Sequence, residues 1–365
     1  MIDTLVYSDI HHDAPPSSML LENGQNALMV DRLNTQQNIF NYILHNPNIR
    51  VVFFLGDLFN TKDKIQVSVY NAVYDMFTRF FKAISEQNRE IMVFANVGNH
   101  DLINSYGITT DNSIHGLSHL IKILDTESAI TVSNTTFYTI PYKPTKEEFI
   151  QSMEKVVSMI NPNSNRVLLL HQGVNGMDIG SDFVFTSKED VTMEDIKPSM
   201  WNCILSGHYH KPQRINNFYY IGSPLELSWG EISYQHGIML LDSTNLDIQF
   251  MPTQYPTRTK ILTDKPEEVT MIVEDYISKE KLLRSDLIKI NTSNPDIFEE
   301  YKEVFHTELH TELLSNIDEK PIQSIQDDSE LLDRYIKSIN VSSYDTQYLL
   351  KVGLEILNES KNLSE

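Results

Sequence analysis

The chain has a single cysteine, Cys203, which excludes an internal disulfide framework and suits a reducing compartment. No apolar run reaches the roughly 18 residues needed to span a bilayer. The N-terminus enters an apolar, strand-like pattern at Ile2–Tyr7 with no basic stretch before it, so no signal peptide is expected. Basic residues are also scarce, with 29 Lys and Arg against 50 Asp and Glu and a formal net charge of -21. That balance argues against binding a polyanion by surface charge alone, and a partner that supplies basic surface becomes the more natural expectation. The acid is concentrated late in the chain: residues 264–365 hold 23 Asp and Glu against 11 Lys and Arg. What remains is an ordinary globular composition of 365 residues, 41% apolar, enough for a main domain and one or two smaller units.

Short apolar runs at Leu5–Tyr7, Val51–Leu55, Ile91–Phe94, Val167–Leu170 and Cys203–Leu205 read as strands buried on both faces. Helical spacing over Gln25–Leu44 and Val67–Ile84 separates the first three, which predicts an α/β fold. Thr131–Ile140, Phe218–Ile221 and Gly237–Leu241 show no intervening helices and predict antiparallel pairing in the same core. Prolines and threonines across Thr253–Thr259 suggest a linker. A small α+β unit follows, with helices at Glu267–Ile277 and Ile297–Phe305 and a strand at Leu287–Ile290. Amphipathic stretches with Leu331, Leu332, Tyr335, Ile336 and Ile339, then Leu349, Leu350, Val352, Leu354, Ile356 and Leu357, predict a terminal helix pair. The expected boundaries are 1–257, 258–322 and 323–365.

Each buried run ends in residues that can bind metal: Asp9-Ile10-His11, Gly56-Asp57, Gly98-Asn99-His100-Asp101, His171, and Gly207-His208-Tyr209-His210. In α/β sheets function collects beyond the carboxyl ends of the strands, so these loops should converge. The i, i+2 spacings would let both side chains of an extended segment reach one side, and the glycines fit sharp turns. Imidazole, carboxylate and amide donors together suit Mn, Fe or Zn better than calcium or a thiolate cluster. Taken singly, Gly-Asp is most often a turn and Gly-Asn-His-Asp can be a capping loop. The full ordered set leaves those readings little room.

That ordered set resembles the calcineurin-like metallophosphoesterase superfamily. Gly56-Asp57-Leu58-Phe59, His171-Gln172, Tyr220-Ile221-Gly222-Ser223-Pro224 and Trp229-Gly230-Glu231 are similar to the nuclease subunit of SbcCD-type double-strand-break repair complexes. The region from Gln323 onward resembles the corresponding recombination endonuclease subunits of T-even phages. The resemblance implies a layered β-sandwich flanked by helices, with a small α+β capping domain and a C-terminal helix pair. It implies Asp9, His11 and His210 around one divalent ion, Asn99, His171 and His208 around a second, and Asp57 bridging them. His100 would be the catalytic histidine that binds no metal, with Asp101 orienting it. The ions would be manganese, with magnesium as the alternative. The activity would be 3′-to-5′ exonuclease and endonuclease action on double-stranded DNA ends. The partner would be an SbcC-type coiled-coil ABC ATPase bound through residues 327–361, in a heterotetramer built on a homodimer. The setting would be the cytoplasm of a bacterium or of a phage-infected host cell.

One position departs from the family pattern: Asn60 stands where many members have a histidine that assists exonuclease action, and an amide cannot shuttle a proton. His12 is expected to face solvent from its loop. His115, His119 and His236 are expected to be structural or surface groups, and Tyr209 should point away from the metals. Two other functions compete: a phosphatase or phosphodiesterase for small substrates, and a non-catalytic scaffold. The first would not need the C-terminal third, and the second typically loses ligands, none of which is missing here.

Overall fold

Alternate residues of the central strands enter different layers. Leu5, Tyr7, Val52 and Phe54 pack on one side, while Val6, Val51, Phe53 and Leu55 pack on the other, as a two-residue side-chain period demands. The computed structural model describes residues 1–62, 64–103, 108–178, 191–263, 265–278 and 284–291. Along the chain run β1 (Thr4–Tyr7), α1 (Ala27–His45), β2 (Val51–Phe54), α2 (Val67–Glu86), β3 (Met92–Asn96), β4 (Lys122–Leu124), β5 (Ser128–Val132) and β6 (Thr135–Ile140). Then come α3 (Lys146–Ser158), β7 (Asn165–His171), α4 (Met193–Ile196), β8 (Cys203–Gly207), β9 (Gln213–Ile215) and β10 (Phe218–Tyr220). The described elements end with β11 (Gly237–Leu241), β12 (Ile248–Pro252), β13 (Thr259–Leu262), α5 (Pro266–Ser278) and β14 (Ile288–Asn291).

Two six-stranded sheets result, ordered β12-β11-β1-β2-β3-β4 and β5-β6-β7-β8-β10-β9. Their facing sides share a core in which Val6, Phe53 and Phe94 meet Phe137, Leu169 and Leu205. The outer face of the first sheet is covered by α1 and α2 through Phe40, Phe77 and Phe80. The outer face of the second is covered by α3 through Phe149, Met153 and Val156. Local chemistry starts these helices: Asn26 accepts a hydrogen bond from the Met29 amide at 3.0 Å, and Thr145 caps α3 through the Glu148 amide. The expected α/β sandwich flanked by helices is what forms.

Some pairings differ from the sequence reading. β5 with β6 and β11 with β1 run antiparallel, as expected, but β6 also pairs parallel with β7 and β10 pairs parallel with β8. The reason for the first is α3, which carries the chain from β6 back to the start of β7. For the second it is β9, which forms a hairpin with β10 and returns it parallel to β8. Among the described residues, no helix is long and apolar enough to cross a membrane.

Beyond Pro252, β13 and β14 form a two-stranded parallel sheet connected through α5. The expected helix at 297–305 and the expected terminal helix pair lie outside the described residues. Arg284 fastens this unit to the main body: its guanidinium donates to both Asp31 oxygens, at 3.1 and 2.8 Å, and to both Asp286 oxygens, at 2.8 and 3.1 Å. Asp286 in turn accepts from the Ser18 hydroxyl and the Met19 amide. Arg284→Met strips both acids of their cation. Because the Asp31 and Asp286 side chains are only 9% and 2% exposed, the expected loss is about 3–5 kcal/mol in urea denaturation. A loss below about 1 kcal/mol would mean that the pair behaves as a surface bridge.

Candidate metal centre

The loops after β1, β2 and β3 come from one sheet and those after β7 and β8 from the other. They meet at the carboxyl-terminal edge of the sandwich. The backbone there is not extended, as the i, i+2 reading assumed. Asp9, His11, Asp57 and His208 have φ of 54°, 48°, 63° and 90°, in a region that non-glycine residues rarely occupy. Left-handed turns, not strand alternation, aim these side chains. Such strain persists only where the surroundings over-determine it, and it clusters at functional sites.

Two glycines make the approach of the loops possible, for different reasons. Gly56 has a φ of 118° and needs glycine's freedom. At Gly98 the constraint is space, since a Cβ would sit 2.2 Å from Asp57 Oδ1.

The seven expected ligand residues lie together. Ligand-capable atoms of Asp9, His11 and His210 fall within 4.8 Å of one another, as do those of Asp9, Asp57 and His171. His11 Nε2 is 3.7 Å from Asp9 Oδ1, and His210 Nε2 is 3.8 Å from the same oxygen. Asn99 Oδ1 lies 3.0 Å from His171 Nε2 and 2.9 Å from His208 Nδ1. Between the two groups stands Asp57, its Oδ2 3.4 Å from His11 Nε2 and 3.3 Å from His171 Nε2. A third overlapping group joins His11, Asp57 and His100. His100 Nδ1 faces the Asn60 carbonyl at 2.6 Å, as His171 Nδ1 faces the Leu55 carbonyl at 2.8 Å, so in both rings Nε2 is the nitrogen left to act.

Whether these residues suit cations can be judged from His11. It is 4% exposed, and neither ring nitrogen has a hydrogen-bond partner. An unsatisfied buried imidazole is costly, and ligation is the simplest remedy. Charge points the same way. Burial alone would push Asp9 upward, but His171, His11 and His210 hold its carboxyl at about 2. Asp57 is likewise held below the carboxylate range against its burial, mainly by His171. Burial lowers His171, yet the Asp57 and Asp9 charges raise it to about 9. Burial and His171 together push His208 down to about 4. Two anionic carboxylates in a dry site fit cations, and the mixed N and O donor set fits divalent transition metals.

Asp101 does not orient His100. Its Oδ2 accepts from the Asp57 and Gly98 amides at 2.8 and 2.9 Å, and its Oδ1 accepts from Leu58 at 3.0 Å. It is a brace joining two ligand loops, and burial together with the Asp57 charge raises it to about 7. Asn60 does what Asp101 was expected to do: its carbonyl receives His100 Nδ1, and its side chain donates to Asp13 Oδ2 at 3.0 Å. A backbone carbonyl leaves no side-chain signal in a sequence.

His12 does not face solvent. It is 1% exposed and hydrogen-bonds Gln36 of α1, because a bridge to Phe59 draws the loop inward. His119 meets the Tyr74 hydroxyl at 3.1 Å, and the Tyr209 ring packs on Tyr220 at 4.8 Å. His236 is buried: its Nε2 faces the Glu231 carbonyl and its Nδ1 the Ser223 hydroxyl. Burial holds His236 below its usual range. The folded ring therefore binds fewer protons than the unfolded one once pH falls below about 6.5, and stability drops with acidification through that window. In His236→Gln the urea midpoint should fall less steeply than in the parent between pH 7.5 and 5. Equal slopes would refute this assignment.

Residues 2–212 match the family model described as calcineurin-like phosphoesterase. The chain belongs to that family. Calcineurin-like phosphoesterases hydrolyse phosphoesters at a dimetal centre, and the residues gathered here are suited to hold one. No curated protein matches the chain. Among solved structures it is similar to a dimetal phosphatase from Danio rerio, at 8% identity and a TM-score of 0.41, covering 68% of this chain and 95% of that one. It is similar to a 5′-nucleotidase precursor from Thermus thermophilus, at 12% identity and TM-score 0.35, covering 76% and 58%. The nuclease MPE of Pseudomonas putida matches at 10% identity and TM-score 0.28, covering 68% and 87%.

Proposed function

We propose that this calcineurin-like phosphoesterase is a DNA nuclease, the subunit of an SbcCD-type complex that processes double-stranded ends with a coiled-coil ABC ATPase. The observation that carries the reading is the second unit. The described residues between 259 and 291 are clasped to the main body by Arg258 and Arg284, close to the turn that backs His210. A small-substrate phosphatase has no use for such an appendage, whereas a polymeric substrate needs surface beyond the metals.

Asp9, His11 and His210 would hold one ion, Asn99, His171 and His208 the other, and Asp57 would serve both. Bound manganese would supply Lewis acidity at the phosphoryl oxygens and activate water for in-line attack. The chain's own contribution centres on His100. Because the Asn60 carbonyl can only accept, His100 Nδ1 is the donor, which makes Nε2 the nitrogen that exchanges a proton with the leaving oxygen. The Asp57 carboxylate accepts from the His100 amide at 2.8 Å, so the acid and the bridging ligand are positioned by one contact.

The test is hydrolysis of end-labelled duplex and single-stranded DNA with Mn²⁺, with and without the ATPase. The expected result is end-dependent cleavage that the partner stimulates, and weak duplex binding by the acidic chain alone at physiological salt. Turnover of mononucleotides or phosphomonoesters with no DNA cleavage under either condition would favour the small-substrate reading. Deleting residues 327–365 should abolish ATPase binding and leave hydrolysis of a small phosphodiester intact. Equal loss of both would put those residues in the core.

A further inference from the structure

Trp229-Gly230-Glu231 has no part in the chemistry described so far, yet it lies directly behind the metal centre. Glu231 is 5% exposed, and three donors fix its carboxylate. Oε1 accepts from His210 Nδ1 at 2.9 Å and from the Ser228 hydroxyl at 3.0 Å, and Oε2 accepts from the Leu227 amide at 2.8 Å. The turn bearing it is pinned in its own right. The Arg258 amide donates to Glu226 Oε2 at 2.6 Å, its guanidinium donates to the Glu226 and Leu227 carbonyls, and its cationic carbon lies 5.7 Å from the Trp229 ring centroid.

His210 needs such a hold more than His11 or His171 does. Its side chain is 25% exposed, against 5% for His11 and 0% for His171, so packing alone does not fix its ring. A carboxylate can only accept. Its contact at Nδ1 therefore places the proton there and leaves the Nε2 lone pair facing Asp9.

We propose that Glu231 is a positioning residue that fixes the tautomer and rotamer of His210, and so sets the affinity of the Asp9, His11, His210 site for its ion. Carboxylates behind metal-binding histidines raise the basicity of the ring, and their loss commonly costs 10–100-fold in affinity. The proposal rests on the metal centre and not on the nature of the substrate.

The test titrates Mn²⁺ alone into the full chain after dialysis against chelator, with heat as the signal. Glu231→Gln should weaken one of two classes of Mn²⁺ site by about 10–100-fold and leave the other unchanged. In a His210→Ala background the same substitution should change neither class. Weakening of both classes together, no weakening, or a further loss on top of His210→Ala would overturn the proposal. Should the Gln variant lose its cooperative thermal transition, Glu231→Asp poses the same question, since the shorter acid keeps the charge but loses the reach. The readout is metal binding, so a failure to cleave DNA would sink the nuclease reading and leave this result standing.

Discussion

A His100→Ala variant will lose about 10²–10⁴-fold in turnover of a small phosphodiester and still bind two Mn²⁺ ions, the span expected for removing a general acid. The expectation follows from two contacts. The Asn60 carbonyl occupies Nδ1 of His100, so Nε2 is the nitrogen left for proton transfer. Its amide meets Asp57 Oδ1, a contact that alanine retains, so the loop and the bridging carboxylate should stay in place. Undiminished turnover, or loss of an ion along with turnover, would remove His100 from this role.

Asp57→Asn should do more. The carboxylate stands between His11 and His171, with Oδ2 3.4 and 3.3 Å from their Nε2 atoms, and it is 2% exposed. Asparagine keeps the shape and the contact with the His100 amide but removes the charge shared by both sites. Metal ions contribute several kcal/mol of charge stabilisation in such reactions, and each 1.36 kcal/mol is tenfold in rate. A loss of at least about 10³-fold is expected, with fewer than two Mn²⁺ bound per chain at concentrations that saturate the parent. Activity within about tenfold of the parent, with two ions bound, would be inconsistent with a bridging carboxylate.

The strands and their terminal ligands could be read from the sequence because both signals are local. Val51–Phe54 and Val167–Leu170 are apolar runs of strand length, and each leads into a ligand. The helix α3 is less legible, because Lys and Glu dominate its first turn and only Phe149, Met153 and Val156 mark its buried apolar stripe. What the sequence could not reveal depends on long-range contact. His12 is buried because Gln36 lies across the fold, and Asp101 braces amides more than forty residues away. The left-handed backbone at Asp9, His11, Asp57 and His208 leaves no mark in residue type. Glu231 could be seen as part of a signature, but its hold on His210 depends on a loop contact across 21 positions.

A single dinuclear centre around Asp57, built at the carboxyl ends of five strands, has a direct crystallographic signature. Anomalous diffraction from crystals soaked in Mn²⁺ tests it most directly. Two peaks are expected to flank Asp57, about 3.5–4 Å apart, one against Asp9, His11 and His210 and the other against Asn99, His171 and His208. A single peak, or a pair of peaks away from Asp57, would contradict it.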